Sequence, residues 1–323
     1  MNILRWNGPR GYDFPGVALS RALETPHLKF DVGSVTQIGG IEWLAERIGW
    51  DRLVLDQPDR PAHYLAFAAG MPGIGLPPHY ASLISRPKID THWHTGKWGI
   101  CTEPRTDLCI LGADIRKFGI KIAITSSIVA LDGDLIEGNH QTGTFCELDK
   151  NVRGMVVVNP ERTEQSILEI EKYRRSFVGL KTIQDEFEGG LMHPGYGKII
   201  REAPEDWPVM AHLPGLAELA SLMPERKFVA AHSIWGWEPL AGLPNVYFDI
   251  ATSARHPLSD LIRKCPDRVL FSSDAPLISP AFTLGKLAEI FPNIGLDDIF
   301  FRNALKVFPR IQVDPLVFEK PPA

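Results

Sequence analysis

The chain is predicted to fold as a parallel α/β barrel of the (β/α)8 (TIM) type, preceded by a smaller unit of related pattern. From Lys88 onward, short apolar runs of strand length alternate with amphipathic stretches of helical length, and such alternation calls for a parallel sheet with crossover helices. The apolar runs number eight, the strand count at which a parallel sheet of this kind closes on itself. Several of them end on a histidine or an aspartate. In a closed barrel the C-terminal strand ends share one mouth, where chemistry collects.

The expected strands, in order, are residues 88–91, 120–126, 154–159, 178–182, 209–212, 228–232, 246–250 and 269–273. Most are dominated by apolar residues, as strands buried on both faces require. Among the intervening segments, residues 164–176 carry Ile167, Ile170, Glu171 and Arg174 at helical spacing, and residues 215–223 are rich in Leu and Ala.

Composition bounds the function. With 323 residues, 44% hydrophobic and 23% charged, the chain can bury a large core. Its formal net charge of -5 shows no basic excess, so nucleic acid is not expected as a partner. No apolar run approaches the ~20 residues that span a bilayer. The opening residues lack the long apolar stretch of a signal peptide, so a cytoplasmic location without membrane attachment is expected. The 4 cysteines, Cys101, Cys109, Cys146 and Cys265, form no C-x-x-C pair and are read as reduced, mostly buried thiols.

The candidate chemistry begins at Asp90-Thr91-His92-Trp93-His94. Histidines at i and i+2 of a short strand put both imidazoles on one side. Three later apolar runs end in His212, His232 and Asp274. Imidazole and carboxylate gathered in this way resemble the donor set of Zn²⁺ or a related divalent ion. A lone buried histidine is more often a hydrogen-bonded core residue; membership of the ordered set sets these apart from His27, His63, His79, His140, His193 and His256, which carry no such context. Asp90 lies one layer deeper on the same side as His92, which suits support of the ligands. Asp249, on the seventh strand, is read as a structural carboxylate bonding neighbouring backbone. Trp235 and Trp237 follow His232 and either line an apolar or aromatic pocket or cap the barrel. Arg255 is a candidate clamp for a substrate carboxylate, with a surface ion pair as the alternative.

The D-x-H-x-H opening, the histidines closing strands five and six, and Ser273-Asp274-Ala275-Pro276 after strand eight together resemble the amidohydrolase superfamily. Within it, the resemblance is to the amidohydrolase-related (amidohydrolase family 2) metal-dependent hydrolases, the subgroup that includes aminocarboxymuconate-semialdehyde decarboxylase. Residues 301–308, Phe301-Arg302-Asn303-Ala304-Leu305-Lys306-Val307-Phe308, are similar to the N-A-x-x-x-F helix that ends such barrels. The resemblance covers residues 87–310. It implies one divalent ion, Zn²⁺ foremost with Mn²⁺ or Co²⁺ also suited, held by His92, His94, His212 and Asp274. His232 would stand outside the shell to shuttle a proton or stabilise an oxyanion, and Asp274 would also accept a proton from water.

Lys181 sits where binuclear relatives carry a carboxylated lysine bridging two ions. A single ion is favoured, because the mononuclear subgroup often has a lysine there too, uncarboxylated and contacting substrate or scaffold; the usual continuation to a histidine is replaced by Thr182-Ile183-Gln184, which leaves the role of Lys181 open. The implied reaction is hydrolysis of a small amide, ester or lactone through a metal-activated water. Non-oxidative decarboxylation of a small unsaturated or aromatic acid is the first alternative, since it needs the same residues. Metal-free lactone hydrolysis and a non-catalytic partner subunit complete the set.

Residues 1–86 form a separate extension ahead of the barrel at 87–323. The series 28–32, 41–48 and 50–55 echoes 246–250, 258–263 and 266–271, so the extension is read as a degenerate copy of the barrel's strand 7–helix–strand 8 unit. Its ligand position is lost. Asp56 or Asp59 could stand for Asp274, but the register that aligns the Asp-Arg pairs sets Pro58 there. The Pro- and Gly-rich residues 71–78 mark the join. Exposed strand edges in this unit favour a homodimer.

Overall fold

The computed structural model describes residues 3–5, 24–27, 29–32, 38, 40–55, 65, 68, 78–96, 112, 116–183, 187–212, 215–233, 236–251, 255–290, 296–313 and 316–319. Two parallel sheets organise them. The smaller contains β1 (Ile3–Arg5), β2 (Lys29–Asp31) and β3 (Leu53–Val54) in that order. The larger runs through β4 (Lys88–Thr95), β5 (Ile120–Ser127), β6 (Val152–Val158), β7 (Gly179–Thr182), β8 (Val209–Ala211), β9 (Phe228–Ala230), β10 (Val246–Asp249) and β11 (Val269–Leu270), each beside the next. All eight expected strands are present, and the architecture is that of a TIM barrel.

Closure comes from the segment after β11. The Thr91 N–H donates to Phe271 O (3.0 Å), the Asp274 N–H to His92 O (2.9 Å) and the His94 N–H to Ala275 O (2.6 Å), and Trp93 bridges Ala275 in parallel. The residues that carry the motif therefore also carry the seam of the barrel.

Strand ends differ from the sequence pattern in an informative way. β4 extends to Thr95 because Thr125, Ser126 and Ser127 of β5 pair with Trp93, His94 and Thr95, after a register shift between Asp90 and Trp93. β9 and β11 stop early. His232 and Asp274, at φ 52° and 69°, are the non-glycine residues of left-handed backbone among those described, a conformation that breaks a strand ladder.

The core is continuous around the barrel, with Ile124, Val156, Leu180, Val209, Val229 and Leu270 all fully buried. Buried cations brace the N-terminal ends. Lys88 Nζ donates to the carbonyls of Ile84 (2.8 Å), Arg86 (2.5 Å) and Phe118 (3.0 Å), which satisfies an ammonium that burial would otherwise penalise. Helices Thr163–Tyr173 and Leu216–Leu222 occupy the expected crossovers. His193 caps the helix Pro194–Glu202, its Nδ1 accepting from the Gly195 N–H (3.1 Å). In the closing segment, Asn303 Nδ2 donates to Pro266 O and Val269 O, both 3.0 Å, while Ala304 and Phe308 are fully buried. The N-A-x-x-x-F spacing is thus a clamp under β11.

In the smaller sheet Phe30 pairs with Leu53 and Asp31 with Val54; in the barrel Phe248 pairs with Val269 and Asp249 with Leu270. The helix Gly40–Ile48 lies between β2 and β3 as Arg255–Lys264 lies between β10 and β11. Arg52 lies over the Phe30 ring (5.9 Å) and Arg268 over Phe248 (5.5 Å). Arg52 donates to Thr25 O (3.0 Å) and Arg268 to Leu243 O (2.6 Å). The unit has its own core of Phe30, Val32, Ile41, Leu44, Ala45, Ile48 and Leu53. Ile38 and Leu65 are instead buried in the barrel's cluster, and the Ile38 N–H donates to Pro276 O (3.2 Å). Among the described residues no helix is long and apolar enough to cross a membrane.

Candidate metal centre

Alternation along β4 turns Asp90, His92 and His94 to the inside of the barrel while Ile89, Thr91 and Trp93 face the other way. The His92 and His94 Nε2 atoms lie 3.1 Å apart. Both face Asp274 Oδ1, at 3.6 Å and 3.0 Å respectively. His232 joins from β9, its ring centroid 4.9 Å from that of His92, and His212 stacks on His232 at 5.3 Å. Potential ligand atoms of His92, His232 and Asp274 all lie within 4.8 Å of one another. All five expected residues therefore meet at one end of the barrel.

The far side of His92 fixes its tautomer: Nδ1 bonds Asp249 Oδ2, and a carboxylate only accepts, so the ring hydrogen belongs on Nδ1 and the Nε2 lone pair points inward. His94 Nδ1 faces both the Ser126 carbonyl at 3.2 Å and its hydroxyl at 3.3 Å, an acceptor and a donor, so either ring nitrogen can carry its hydrogen and Nε2 can donate to Asp274 or ligate. The donor set suits a divalent cation.

Electrostatics supports the same protonation states. Burial, followed by the Lys181 charge, pushes His92 well below the ordinary imidazole range, and the same two causes lower His212. Both rings are neutral at pH 7, the form that ligates metal. Burial alone would raise Asp274; His232 and then the contact with His94 outweigh it and hold the carboxyl at about 2. Asp90 is different. Burial pushes it up to about 8, against the bonds donated by the His92 N–H (3.2 Å), the Ser273 N–H (3.1 Å) and Ser273 Oγ (2.6 Å), which hold it down. It ties β4 to the turn carrying Asp274 from beneath the cluster.

Asp249 does more than the sequence reading gave it. Its Oδ1 accepts from the Ala251 N–H (2.7 Å) and Ser272 Oγ, as a structural carboxylate does, while Oδ2 reaches His92. Ser126 and Ser272 were also missed. A clue existed in the repeat, whose aligned strands keep an aspartate at Asp31 and Asp249.

Lys181 is buried, with Nζ 3.5 Å from His92 Nε2. Trp237 is buried against Phe248, edge-on at 6.5 Å. Trp235, Asp56, Asp59, Pro58, His63, Cys101, Cys109 and residues 71–77 lie outside the described residues, as do the side chains of Arg255, His79 and His256. His27 and His140 are exposed. Cys146 and Cys265 are free thiols.

A protein-family model described as Amidohydrolase matches residues 137–310. No curated protein matches the sequence significantly. Among solved structures, a probable 2-pyrone-4,6-dicarboxylic acid hydrolase from Acinetobacter baumannii is 14% identical, with 69% of this chain and 99% of that one covered and a TM-score of 0.53. A 5-carboxyvanillate decarboxylase from Novosphingobium aromaticivorans, complexed with manganese, is 16% identical (69% and 96% covered, TM-score 0.53). A 2,6-dihydroxybenzoate decarboxylase from Rhizobium is 15% identical (69% and 99% covered, TM-score 0.51). At these identities the structural likeness establishes the barrel alone.

Proposed function

The chain belongs to the amidohydrolase family, and from that premise we propose that it is a metal-dependent hydrolase of a small-molecule amide, ester or lactone. The observation that carries this reading is the Asp274 carboxylate set against the Nε2 atoms of His92 and His94, at 3.6 Å and 3.0 Å. In the proposed shell His92, His94, His212 and Asp274 hold one divalent ion, Zn²⁺ foremost, with Mn²⁺ or Co²⁺ suited by the same donors. Such an ion supplies Lewis acidity and lowers the pKa of bound water toward ~7.

Asp274 accepts the proton of the attacking water and returns it to the leaving group. His232 moves a proton or stabilises developing negative charge; its place beside His92 and Asp274 equally supports a turn as ligand. Left-handed backbone at both His232 and Asp274 supports a functional role, since strain of this kind persists at sites where chemistry needs it. Lys181 contacts substrate from the floor. Arg255 and Trp235 serve as carboxylate clamp and pocket wall. We also read residues 1–86 as a degenerate copy of the β10–helix–β11 unit that docks on the barrel through Ile38, and assign the chain to homodimers.

Decarboxylation of a small acid is the second reading. It is favoured by the Lys181 ammonium at 3.5 Å from His92 Nε2, a cation placed to hold a substrate carboxylate, and by the names of two barrels of similar fold. A pH-stat assay with lactones, esters and amides, run beside CO₂ detection with hydroxybenzoates, separates the two. Acid release abolished by His94→Ala supports hydrolysis, CO₂ release abolished by the same change supports decarboxylation, and no turnover of any compound by metal-loaded protein counts against both.

A further inference from the structure

The opposite end of the barrel carries a second feature. A cavity of ≈ 460 Å³ opens there, lined by Arg153, Arg175, Arg310, Ser176, Phe177 and Gln312 among others. Arg153 is the second residue of β6, and Phe177 lies two residues ahead of β7, so the cavity faces the N-terminal strand ends. The candidate metal centre lies at the C-terminal ends. The volume falls in the range of about 300–1,000 Å³ typical of small-ligand sites.

We propose that this cavity binds a small organic polyanion carrying two or more phosphate or carboxylate groups. Three guanidinium groups share its lining, and none of the lining residues is acidic. In a chain of net charge -5, this local concentration of positive charge is self-repulsive until an anion enters.

Two of the three arginines are fixed in place. Arg310 Nε donates to Asp206 Oδ2 (2.6 Å) and its Nη1 to Arg174 O (2.5 Å), while its guanidinium lies over the Trp207 ring at 5.5 Å. Arg153 Nη1 donates to Val152 O (2.9 Å) and Lys150 O. Each keeps further N–H groups of its fork for a ligand. Asp206 offsets one positive charge from outside the lining, so the cavity retains an excess from the other two. Arg175 is exposed and makes no side-chain hydrogen bond or ion pair among the described residues. Planar forks of this kind match phosphate and carboxylate bidentately. Phe177, buried and stacked on Tyr173 at 4.3 Å, is a rigid part of the lining.

Calorimetric titration of the full chain, as purified, with fructose 1,6-bisphosphate and separately with tricarballylate tests this and separates phosphate from carboxylate sources. At about 50 mM salt, saturable binding of at least one probe is expected, weakening as salt rises. Arg175→Ala and Arg153→Ala should each raise Kd about tenfold or more, as loss of a charge-assisted contact does. Arg175→Lys should restore part of it, and His94→Ala should leave Kd unchanged. Absence of binding by either probe up to about 10 mM, binding indifferent to both arginine variants, or binding lost in His94→Ala would each overturn the proposal.

Discussion

The Asp249 carboxylate bonds the far ring nitrogen of His92, and that contact decides which face of the imidazole looks into the barrel. Because Asp249 is itself held by the Ala251 N–H and by Ser272, the ring is fixed in both orientation and tautomer. A carboxylate behind a ligating histidine also raises its basicity.

Asp249→Asn should therefore weaken divalent-ion binding by about 10–100-fold with the barrel still folded. Competition against a chromogenic chelator measures the affinity, and circular dichroism checks the fold. Unchanged affinity would reduce Asp249 to a scaffold residue.

Ile38, of the N-terminal unit, is buried in the barrel's cluster and bonds the residue after Ala275. Ile38→Ala should destabilise the whole protein by about 2–4 kcal/mol, seen as an earlier midpoint in urea for the main transition. A wild-type midpoint would mean that the unit does not support the barrel.

Lys286, on the helix Pro280–Ile290, is pushed down to about 8 by burial, partly offset by Glu289. Between about pH 8 and 10.4 the unfolded chain holds a proton there that the native state lacks, so this residue makes stability rise with pH across that window. Below it both states are protonated, and the native state carries the penalty of a half-buried ammonium, at most about 3 kcal/mol. Lys286→Met should be more stable than wild type at pH 7 and should lose the rise between pH 8 and 10.4, both measurable by denaturant unfolding.

Burial pushes the Cys146 thiol up to about 12. A thiol reagent at pH 8 should leave Cys146 unlabelled in native protein and label it on unfolding, as peptide mass mapping would read.

Much of this was legible in the sequence because it depends on local pattern. Period-two alternation placed His92 and His94 together, and apolar runs ending in polar residues marked β8, β9 and β11, although β9 and β11 stop short of the expected ends. The repeat that aligns Phe30-Asp31 with Phe248-Asp249 anticipated a shared strand register. What stayed hidden depends on distance in space. The contact from Asp249 to His92 joins residues 157 apart, and no local spacing announces it. Left-handed backbone at His232 and Asp274 was equally silent, since neither residue type advertises positive φ as glycine does. Arg153, Arg175 and Arg310 are scattered through the chain and meet only once the barrel has closed.

Metal content is the measurement to make first, by elemental mass spectrometry on protein purified without chelator, for wild type, His94→Ala and Lys181→Ala in parallel. About one equivalent of a divalent ion in wild type and Lys181→Ala, with loss in His94→Ala, is the expected result. About two equivalents in wild type, falling in Lys181→Ala, would replace the single-ion site by a bridged pair. No ion in any of them, even after resupply with Zn²⁺, Mn²⁺ or Co²⁺, would contradict the metal-dependent chemistry altogether.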